Sequence, residues 1–550
     1  MKVAILLDDF WVQKWMFDAI EPLTRDKSIT IETVIKKEWE GKQNSIYYKV
    51  NKKRSSLFFT AFNKLFLKKN CPSLSLVDIR PSLMLSNIIN VKPIKTGKYR
   101  EIFPNNIIDE LRSSQIDIIV RFGFGIIEGE ILTVAKYGVL SYHHGNPAEY
   151  RGGPPVFWEY INGEKEVGAI LQRLSPELDG GTVLRSGSIN INHSYSLTFD
   201  RLYSLSSMWL YTVIKEFSED RSNEVNIKSL GKVYKLPTNL TFILLFNQML
   251  KRRLYFYLKK YFYLDTWDTF FISQENISIE NIVNHGLSDE NLKASQPIGF
   301  SSKESFFADP CLFLIGSKVH VLTEFFSYRR PVGIIRLFKQ LLNGEFGELE
   351  LKYNHEIGHL SFPQIIPNSE NLFTFENCCN EGLLIGCLKN NKLTFVRQIL
   401  GLEGRRLVDP LIIFQEGVYF LLFSDVEFGE KDSLCCYMKK EIHDDKSWVR
   451  ADNFLTSLSP HNSRLAGNTF NVDGQAYIPA QECCYSYGNA IKFNQLSFEP
   501  EPYIKHQGAT LPKVHTFNYL PGVGLVFDLK KSVFTISKLI LKVMRVFKLN

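Results

Sequence analysis

The stretch that decides the fold of the first half of the chain is NNIIDELRSSQIDIIVRFGF, at residues 105–124. Its first part has apolar residues at the spacing of a helix turn, whereas IDIIVRFGF at 116–124 is a strand-length apolar run that enters a glycine-containing loop. The N-terminal VAILLD at 3–8 and the segment FWVQKWMFDAIEPL after it predict another strand and helix. Strands that alternate with helices predict a doubly wound α/β domain, which binds ligands beyond the carboxyl ends of its strands.

Composition indicates a globular protein with more than one domain. The 550 residues, 45% of them hydrophobic, exceed the length at which one core usually stops growing. The formal charge of +7 is spread along the chain, which does not favour a nucleic-acid partner. The nine cysteines form no CxxC pair, so we expect free thiols and no metal site.

Two further features bear on the compartment. The N-terminal MKVAILLDDFW has too few apolar residues before its aspartates for a signal peptide, and LTFILLFNQML at 240–250 is shorter than the ~20 residues of a membrane span. We therefore expect a cytoplasmic protein. The basic and aromatic segment 231–272 predicts a helix, and KKSVFTISKLILKVMRVFKLN at the C-terminus has a similar composition. A linker packed between domains and a surface for the inner face of an anionic membrane are both open interpretations.

Beyond residue 272 the sequence contains a repeat of about fifty residues. Similar polar or proline-bearing entry segments begin near Asp309, Pro363, Asp409, Pro460 and His515. Each is followed by two apolar strands with a short turn between them. About fifty residues is the span of a four-stranded blade, so five units predict a five-bladed β-propeller. An open β-sandwich would not explain the recurring entry segments.

The densest group of chemical residues is GVLSYHHGNPAEYRGGPPVFWEYINGEKEVGAILQRLSPELDGGTVL, at 138–184. It resembles the folate-dependent formyltransferases, whose signature is a strand that ends in Asn-x-His, a loop to Arg-Gly, a helix and an Asp-x-Gly loop. The matching residues are Gly138, His143, Tyr150, Arg151, Gly152, Gly168, Asp179 and Gly181. The resemblance covers roughly 100–215 well, and implies that 10-formyltetrahydrofolate is the cofactor.

Formyl transfer to an amine passes through a tetrahedral oxyanion and requires a group that moves protons near neutral pH, for which histidine is suited. The resemblance implies that His143 is this group and that Asp179 orients it. The family usually has asparagine where this chain has Ser141, and loss of one oxyanion donor typically costs ~10²–10³ in turnover. His144 or Asn146 could replace that donor. The domain therefore has either a variant active site or no activity.

The resemblance also implies binding residues. The segment that binds the pterin through its backbone corresponds to Phe122, Gly123, Phe124, Gly125 and Ile126. Arg151 orders its loop or contacts a phosphate or carboxylate. The family acts on methionyl-tRNA or on amino sugars, and the diffuse charge together with the appended repeat favours a nucleotide- or lipid-linked amino sugar.

The C-terminal repeat resembles the five-bladed propellers of family-43 glycosidases, and more closely those of glucosamine inositolphosphorylceramide transferase-type proteins of surface-glycan and sphingolipid synthesis. This resemblance implies acidic residues in a central pocket, namely Asp309, Glu376 and Asp409, although the two Asp-Pro entries are equally explained as turns. Arg464 and Gln481 could hold sugar hydroxyls or a phosphate. The order Asp, Glu, Asp differs from that of the hydrolases, so glycan binding or transfer is favoured over hydrolysis.

Together these observations predict an amino-sugar formyltransferase with a glycan-binding propeller. The predicted domains are a formyltransferase-like α/β domain at 1–218, a linker at 219–272, a propeller at 273–530 and a basic amphipathic helix at 531–550. The alternative is a glycan-binding or glycosyl-transferring propeller protein in which the first domain is a catalytically degenerate scaffold.

Overall fold

The computed structural model describes most of the chain. The described residues are 1–38, 54–97, 99–176, 180–219, 231–354, 358–369, 371–377, 382–398, 400–425, 433–442, 446–451, 457–484, 487–497 and 503–546. The chain divides into two compact units, Met1–Leu254 and Tyr255–Asn550.

A seven-stranded sheet forms the centre of the first unit. Its strands are β1 (Lys2–Leu7), β2 (Thr30–Lys37), β3 (Asn87–Val91), β4 (Ile118–Arg121), β5 (Val139–His143), β6 (Glu166–Arg173) and β7 (Thr182–Asn190). The spatial order is β7-β6-β5-β4-β1-β2-β3; β6 is antiparallel to both of its neighbours, and all other neighbouring strands pair in parallel. The order reverses between β1 and β4, which is where doubly wound sheets bind ligands. The prediction of an α/β domain is confirmed.

Helices flank this sheet. They are α1 (Lys14–Arg25), α2 (Leu57–Phe62), α3 (Asn105–Ser113), α4 (Phe157–Asn162), α5 (Tyr195–Ser206), α6 (Trp209–Ser218) and α7 (Asn239–Phe262). A π turn at Asn63–Leu67 and a helical turn at Lys68–Asn70 extend α2. Short strands at Trp11–Gln13 and Leu76–Asp78, at Ile94–Lys95, Arg100–Ile102 and Ile126–Glu128, and at Tyr150–Gly152 and Lys232–Tyr234 pair beside the sheet. Strand β1 is an unbroken apolar run because both faces of a parallel sheet are covered.

The described residues of the second unit form five sheets. Sheet I comprises Tyr263–Ser273, Gln296–Gly299, Val514–Leu520 and Gly524–Phe534; sheet II, Ser305–Ile315, Lys318–Ser327, Gly333–Gln340 and Phe346–Leu349; sheet III, Ser361–Ile365, Leu372–Glu376, Leu383–Lys389 and Lys392–Gln398. Sheet IV comprises Leu407–Gln415, Val418–Asp425, Ser433–Lys439, Val449–Arg450 and Ser457–Leu458; sheet V, Arg464–Leu465, Phe470–Val472, Gln475–Glu482, Ala490–Ser497 and Tyr503–Pro512. The helices are α8 (Ile279–His285), α9 (Asp289–Ala294) and α10 (Ser537–Val546).

The entry segments of the predicted repeat coincide with a recurring backbone feature. In sheets II, III and IV the first strand has a bulge at a residue that precedes proline, namely Asp309, Phe362 and Asp409. These residues have φ values of 51°, 48° and 51°. Side-chain contacts in this region connect neighbouring sheets, and sheet I contains strands from both ends of the unit.

The interpretation of 231–272 as one helix was wrong at both ends. Residues Lys232–Tyr234 form a short strand. Tyr263–Ser273 is a strand of sheet I and pairs along its whole length with Gly524–Phe534. Because the strand Gly524–Phe534 includes residues 531–534, the C-terminal helix begins at Ser537 rather than at residue 531. Among the described residues, no helix is long and apolar enough to cross a membrane.

Candidate active site

Three strand ends of the first unit meet at one edge of the sheet. Strand β1 is followed by Asp8, β4 ends at Arg121, and β5 ends at His143. Since β1, β4 and β5 are parallel neighbours, their carboxyl ends lie side by side. This edge therefore brings together the candidate catalytic histidine and the loop that follows β4.

Side chains of neighbouring strands hold the loop 122–125. The Phe124 N–H donates to Asp8 Oδ1 at 2.7 Å, and the Gly125 N–H donates to Glu101 Oε2 at 2.8 Å. Lys37 Nζ lies 2.6 and 2.7 Å from the two oxygens of Glu101, and both side chains are buried. Although burial opposes ionisation of Glu101, hydrogen bonds from Lys37 and Gly125 hold its pKa below the usual value.

The glycines of this loop are required by close packing. A Cβ at Gly123 would lie 2.4 Å from the Asp8 amide nitrogen, and one at Gly125 would lie 2.4 Å from the Tyr99 carbonyl oxygen. Phe124, between them, adopts a φ of 67°. The loop therefore has a fixed shape next to the end of β1.

Arg121 is a site residue that the sequence analysis missed. Its Nη1 donates to Ser141 Oγ at 3.0 Å, and its Nη2 donates to the carbonyl oxygens of Phe124 at 3.2 Å and Gly125 at 2.6 Å. Burial lowers the pKa of Arg121, while the carboxylates of Asp8 and Glu101 act in the opposite direction. An arginine at the end of the buried run IIVR was the available signal.

Ser141 and His143 lie on the same side of β5, because residues two apart in a strand face the same way. Ser141 is buried, and His143 is half-buried with Nε2 3.4 Å from the Tyr150 carbonyl oxygen. That contact is longer than a typical hydrogen bond, so a substrate could replace it at little cost. Asp179, the predicted partner of His143, lies outside the described residues.

The neighbours of His143 have local partners. His144 stacks on Tyr203 with ring centroids 3.7 Å apart, and its Nε2 lies 3.1 Å from Ser206 Oγ. Burial lowers the pKa of His144 to about 3, so its ring is neutral. Asn146 Oδ1 accepts from the Ala148 N–H at 3.1 Å. These contacts stabilise the loop, and substrate binding by His144 and Asn146 stays a prediction.

Arg151 lies in the short strand Tyr150–Gly152, which pairs with Lys232–Tyr234. This pairing fixes the Arg-Gly loop of the motif to a segment more than seventy residues later in the sequence. The N–H of Gly153 extends the pairing by donating to the Tyr234 carbonyl oxygen at 3.2 Å. A Cβ at Gly152 would lie 2.3 Å from the same oxygen, which explains the glycine there.

In the second unit, four of the five predicted sugar-binding residues form one buried group. Arg464 Nε and Nη2 donate to the Asp409 carboxylate at 2.7 and 3.0 Å, and Gln481 Nε2 lies 3.4 Å from the same group. Glu376 Oε2 accepts from the Asp409 N–H at 3.0 Å. Burial raises the pKa of Asp409 to about 6, although Arg464 opposes the shift.

Asp309 belongs to a second buried group. Thr516 Oγ1 donates to Asp309 Oδ1 at 2.7 Å, and His515 Nδ1 lies 3.3 Å from that oxygen and 3.2 Å from Asp528 Oδ2. His515 Nε2 lies 2.8 Å from the Tyr487 hydroxyl. Burial opposes protonation of His515, but the Asp528 and Asp309 carboxylates raise its pKa.

Each described sheet of the second unit also has a buried acidic residue on the second strand of its hairpin, and of these residues the sequence analysis singled out only Glu376. These residues are Glu324, Glu376, Asp425, Glu482 and Asp528. Glu324 Oε1 lies 3.6 Å from Nε2 of His359, and burial lowers the pKa of that histidine. Burial and neighbouring carboxylates raise the pKa of Glu324.

Comparison with known proteins gives a family for part of the chain. Residues 81–210 match the model described as formyl transferase. Methionyl-tRNA formyltransferase of Malacoplasma penetrans is 35% identical over 106 residues, which are 19% of this chain and 32% of that protein. Bifunctional polymyxin resistance protein ArnA of Wigglesworthia glossinidia brevipalpis is 37% identical over 95 residues, 16% of this chain and 14% of that protein. The chain thus spans a third or less of these two relatives.

Solved structures similar to the chain include a sugar N-formyltransferase from Shewanella sp FDAARGOS_354, with 14% identity, a TM-score of 0.29, and coverage of 45% of this chain and 87% of that one. Another is the N-formyltransferase from Helicobacter canadensis in complex with folinic acid and dTDP-3-aminofucose, with 11% identity, a TM-score of 0.27, and coverage of 42% and 70%. On the strength of the family match and the strand order, the first unit contains a formyl transferase-like α/β domain.

Proposed function

We propose that this protein transfers a formyl group from 10-formyltetrahydrofolate to the amine of a nucleotide- or lipid-linked amino sugar. The observation that carries the proposal is the position of His143. It ends β5 inside the segment that matches the formyl transferase family, next to the point where the strand order reverses. We propose that the protein is cytoplasmic and acts in the synthesis of surface glycans.

His143 is the proposed general base and acid. Its ring takes the proton of the attacking sugar amine and returns a proton to the departing folate nitrogen, a role that typically contributes ~10²–10⁴-fold. The contact of Nε2 with the Tyr150 carbonyl oxygen, at 3.4 Å, is long for a hydrogen bond, and we propose that the substrate amine replaces it. Asp179 is proposed to orient the imidazole.

The loop 122–125 suits a pterin by its hydrogen-bonding chemistry. The carboxylates of Asp8 and Glu101 and the carbonyl oxygens of Phe124 and Gly125 are acceptors gathered at one place. A pterin presents an amino group and ring N–H groups, which are hydrogen-bond donors. The carbonyl oxygens of Phe124 and Gly125 already accept from Arg121, but a carbonyl oxygen can accept a second hydrogen bond. When bound there, 10-formyltetrahydrofolate would supply the formyl group.

Arg121 and Ser141 are proposed to stabilise the oxyanion in place of the family's asparagine. The guanidinium donates to Ser141 Oγ at 3.0 Å, and the hydroxyl itself donates to the Tyr142 carbonyl oxygen at 3.5 Å. That second contact is long for an O–H donor, so the reacting oxygen could take the place of the carbonyl. A hydrogen bond from a charged group polarises that hydroxyl and strengthens its donation. The pair therefore offsets the shorter reach of serine.

For the second unit we propose a five-bladed propeller with sheets I to V as its blades. The proposal is supported by hydrogen bonds between consecutive sheets, including one that joins sheet V to sheet I. In order, these are Asp309 N to Asp528 Oδ2, Phe362 N to Asp309 Oδ2, Asp409 N to Glu376 Oε2, Arg464 Nε to Asp409 Oδ2, and Phe517 N to Ala466 O. The buried polar residues at these contacts are proposed to shape a glycan-binding centre.

One observation favours the second candidate, a glycan-binding protein whose first unit is a catalytically degenerate scaffold. The N–H groups of Phe124 and Gly125, to which the family resemblance assigns pterin contacts, already donate to Asp8 and Glu101. In that case the loop is closed to folate, and the first unit serves only as a support.

Calorimetric titration of the full chain with 5-formyltetrahydrofolate, a stable analogue of the donor, separates the two candidates. The formyltransferase proposal predicts saturable binding at micromolar concentrations, retained in His143→Ala because that side chain acts on protons. If Asp8→Ala weakens this saturable binding, the result would support pterin recognition by the hydrogen-bond acceptors beside the loop 122–125. A folded chain that binds no analogue would overturn the proposal in favour of the scaffold.

A further inference from the structure

Helix α7 is anchored to the first unit along one face. Leu245 is buried, Gln248 Nε2 donates to the Ile161 carbonyl oxygen at 3.1 Å, and Arg252 Nη2 donates to the Glu164 carbonyl oxygen at 2.5 Å. These three residues are three and four apart, which places them on one side of the helix. The rotational position of α7 on its own unit is therefore fixed.

Another side of α7 is mostly apolar and exposed. Six large aliphatic side chains there, each at least 50% exposed, are Leu240, Ile243, Leu244, Leu250, Leu254 and Leu258. At 100° per residue they fall within about a third of the helix circumference, together with the exposed Asn247 and Lys251, and they extend over ~27 Å of its length. We call this the leucine stripe. A soluble monomer rarely leaves so long an apolar face uncovered.

The segment 57–70 adds to the apolar surface beside the first turns of α7. Phe62 packs on Phe242 with ring centroids 5.4 Å apart, which fixes the segment next to the helix. Leu65 and Phe66 are 73% and 43% exposed. Lys64, Lys68 and Lys69 alternate with them in the sequence and are exposed as well.

Helix α10 lies beside the other end of α7, within the second unit. Lys538 Nζ donates to the Lys259 carbonyl oxygen at 3.4 Å and also to that of Tyr263. Exposed apolar residues at and before the start of α10 follow helical spacing, since Ile536, Ile540 and Val543 are four and three apart. Within the second unit, α10 thus adds apolar surface of the same type beside the last turns of α7.

The charge of these segments is uniform. Residues 57–70, 239–262 and 536–546 contain eleven of the 65 basic residues of the chain and none of its 58 acidic ones. Without them the formal charge of +7 would be −4. An apolar stripe flanked only by cations is complementary to the headgroup region of an anionic bilayer, where leucines enter the acyl boundary and lysines meet phosphates. Two copies of such a surface would repel each other.

We propose that the leucine stripe, with the basic segments beside it, binds the interface of an anionic phospholipid bilayer, with α7 parallel to the membrane plane. This inference does not depend on the proposed formyl transfer, because none of its residues belongs to the candidate active site. It would place the active unit next to lipid-linked glycans.

The test is flotation of the full chain with vesicles of phosphatidylcholine alone or mixed with phosphatidylglycerol. We expect binding only to the anionic vesicles, weakened by added salt. Changing Ile243, Leu250 and Leu254 to Glu should lower the partition constant about a hundredfold or more, because each buried aliphatic side chain is worth about tenfold. The matched control changes Met84, Leu85 and Leu342, exposed residues elsewhere, to Glu and should bind like the wild type.

Three results would overturn the proposal. The first is a folded wild-type chain that floats with neither vesicle type. The second is binding that the triple change in the stripe leaves intact. The third is a dimer of the wild-type chain, detected by mass photometry, which the same triple change dissociates. That result would show that the leucine stripe binds a second copy of the chain. Circular dichroism melts of all variants show whether they fold.

Discussion

Arg121 and Ser141 make up a hydrogen-bonded pair on the face of β5 that also carries His143. The resemblance to formyltransferases predicted the histidine but left open what replaces the usual asparagine. Arg121 was not singled out from the sequence, and its place in the site is apparent from its contacts with Ser141 and the loop 122–125. The pair is therefore the most specific departure of this site from the family pattern.

Replacement of Arg121 by alanine should lower the turnover number about a hundredfold with little change in KM, because the polarised donor to the oxyanion is lost. In the double variant Arg121→Ala, Ser141→Asn the family arrangement is restored, and we expect much of the rate to return. Steady-state kinetics of both variants check this. Arg112→Ala, on the exposed face of α3, is the control, and equal losses in Arg112→Ala and Arg121→Ala would contradict the assignment.

Glu159 gives the first unit a pH dependence that can be measured without substrate. Burial raises the pKa of this α4 carboxyl from 4.5 to about 7. The Glu159 carboxyl therefore keeps its proton up to a higher pH in the folded state than in the unfolded state. The contribution of this protonation to the free energy of unfolding is fully present below pH 4.5 and is lost as the pH rises to about 7. Glu159→Gln should raise Tm at pH 8, by an amount equivalent to roughly 2–3 kcal/mol, and leave it nearly unchanged at pH 4.5. Equal effects at both pH values would contradict the shift.

The loop 122–125 is the element on which we propose that cofactor binding depends. In Gly125→Ala the new Cβ would meet the Tyr99 carbonyl oxygen at 2.4 Å, so the loop has to move and the hydrogen bond to Glu101 is strained. We expect weaker binding of 5-formyltetrahydrofolate and a loss of about 1–3 kcal/mol in the free energy of unfolding. Gly97→Ala, where the nearest atom is 3.6 Å away, is the matched control for both measurements. Unchanged folate affinity in Gly125→Ala would remove the loop from the binding site.

The elements that could be predicted are those with local causes. The helix expected at 105–115 and the strand at 116–124 appear as α3 and β4, because periodicity and the glycine loop are visible within twenty residues. Tyr263–Ser273 could not be recognised as a strand, since its partner Gly524–Phe534 lies at the other end of the chain. Four of the five buried hairpin carboxylates of the second unit, all except Glu376, were missed for a similar reason, because their burial depends on how the strands pair.

The second unit as a whole depends on buried ionic contacts between its sheets. Arg464 and Asp409 lie in sheets V and IV and are both almost fully buried. Arg464→Met leaves the Asp409 carboxylate without its cation, which typically costs about 3–5 kcal/mol. The double variant Arg464→Met, Asp409→Asn removes both charges and should be less destabilised than the single one. Chemical unfolding measures the difference, and Arg329→Ala, which breaks an exposed pair with Glu304, should have no measurable effect.

The part of the candidate site that could be predicted is the part that belongs to the formyltransferase-like motif. His143 and the loop 122–125 lie at adjacent strand ends, as a doubly wound sheet requires. Asp8, Glu101 and Lys37 were not foreseen, because their contacts join three strands that no local pattern connects.

The most direct measurement is an assay of formyl transfer by the full chain, with 10-formyltetrahydrofolate and a panel of nucleotide-linked amino sugars, read by mass spectrometry of the sugar product. The account predicts an N-formylated sugar from the wild type and none from His143→Ala of equal stability. A folded wild-type chain that formylates no sugar in the panel, or a His143→Ala variant with unchanged turnover, would contradict it.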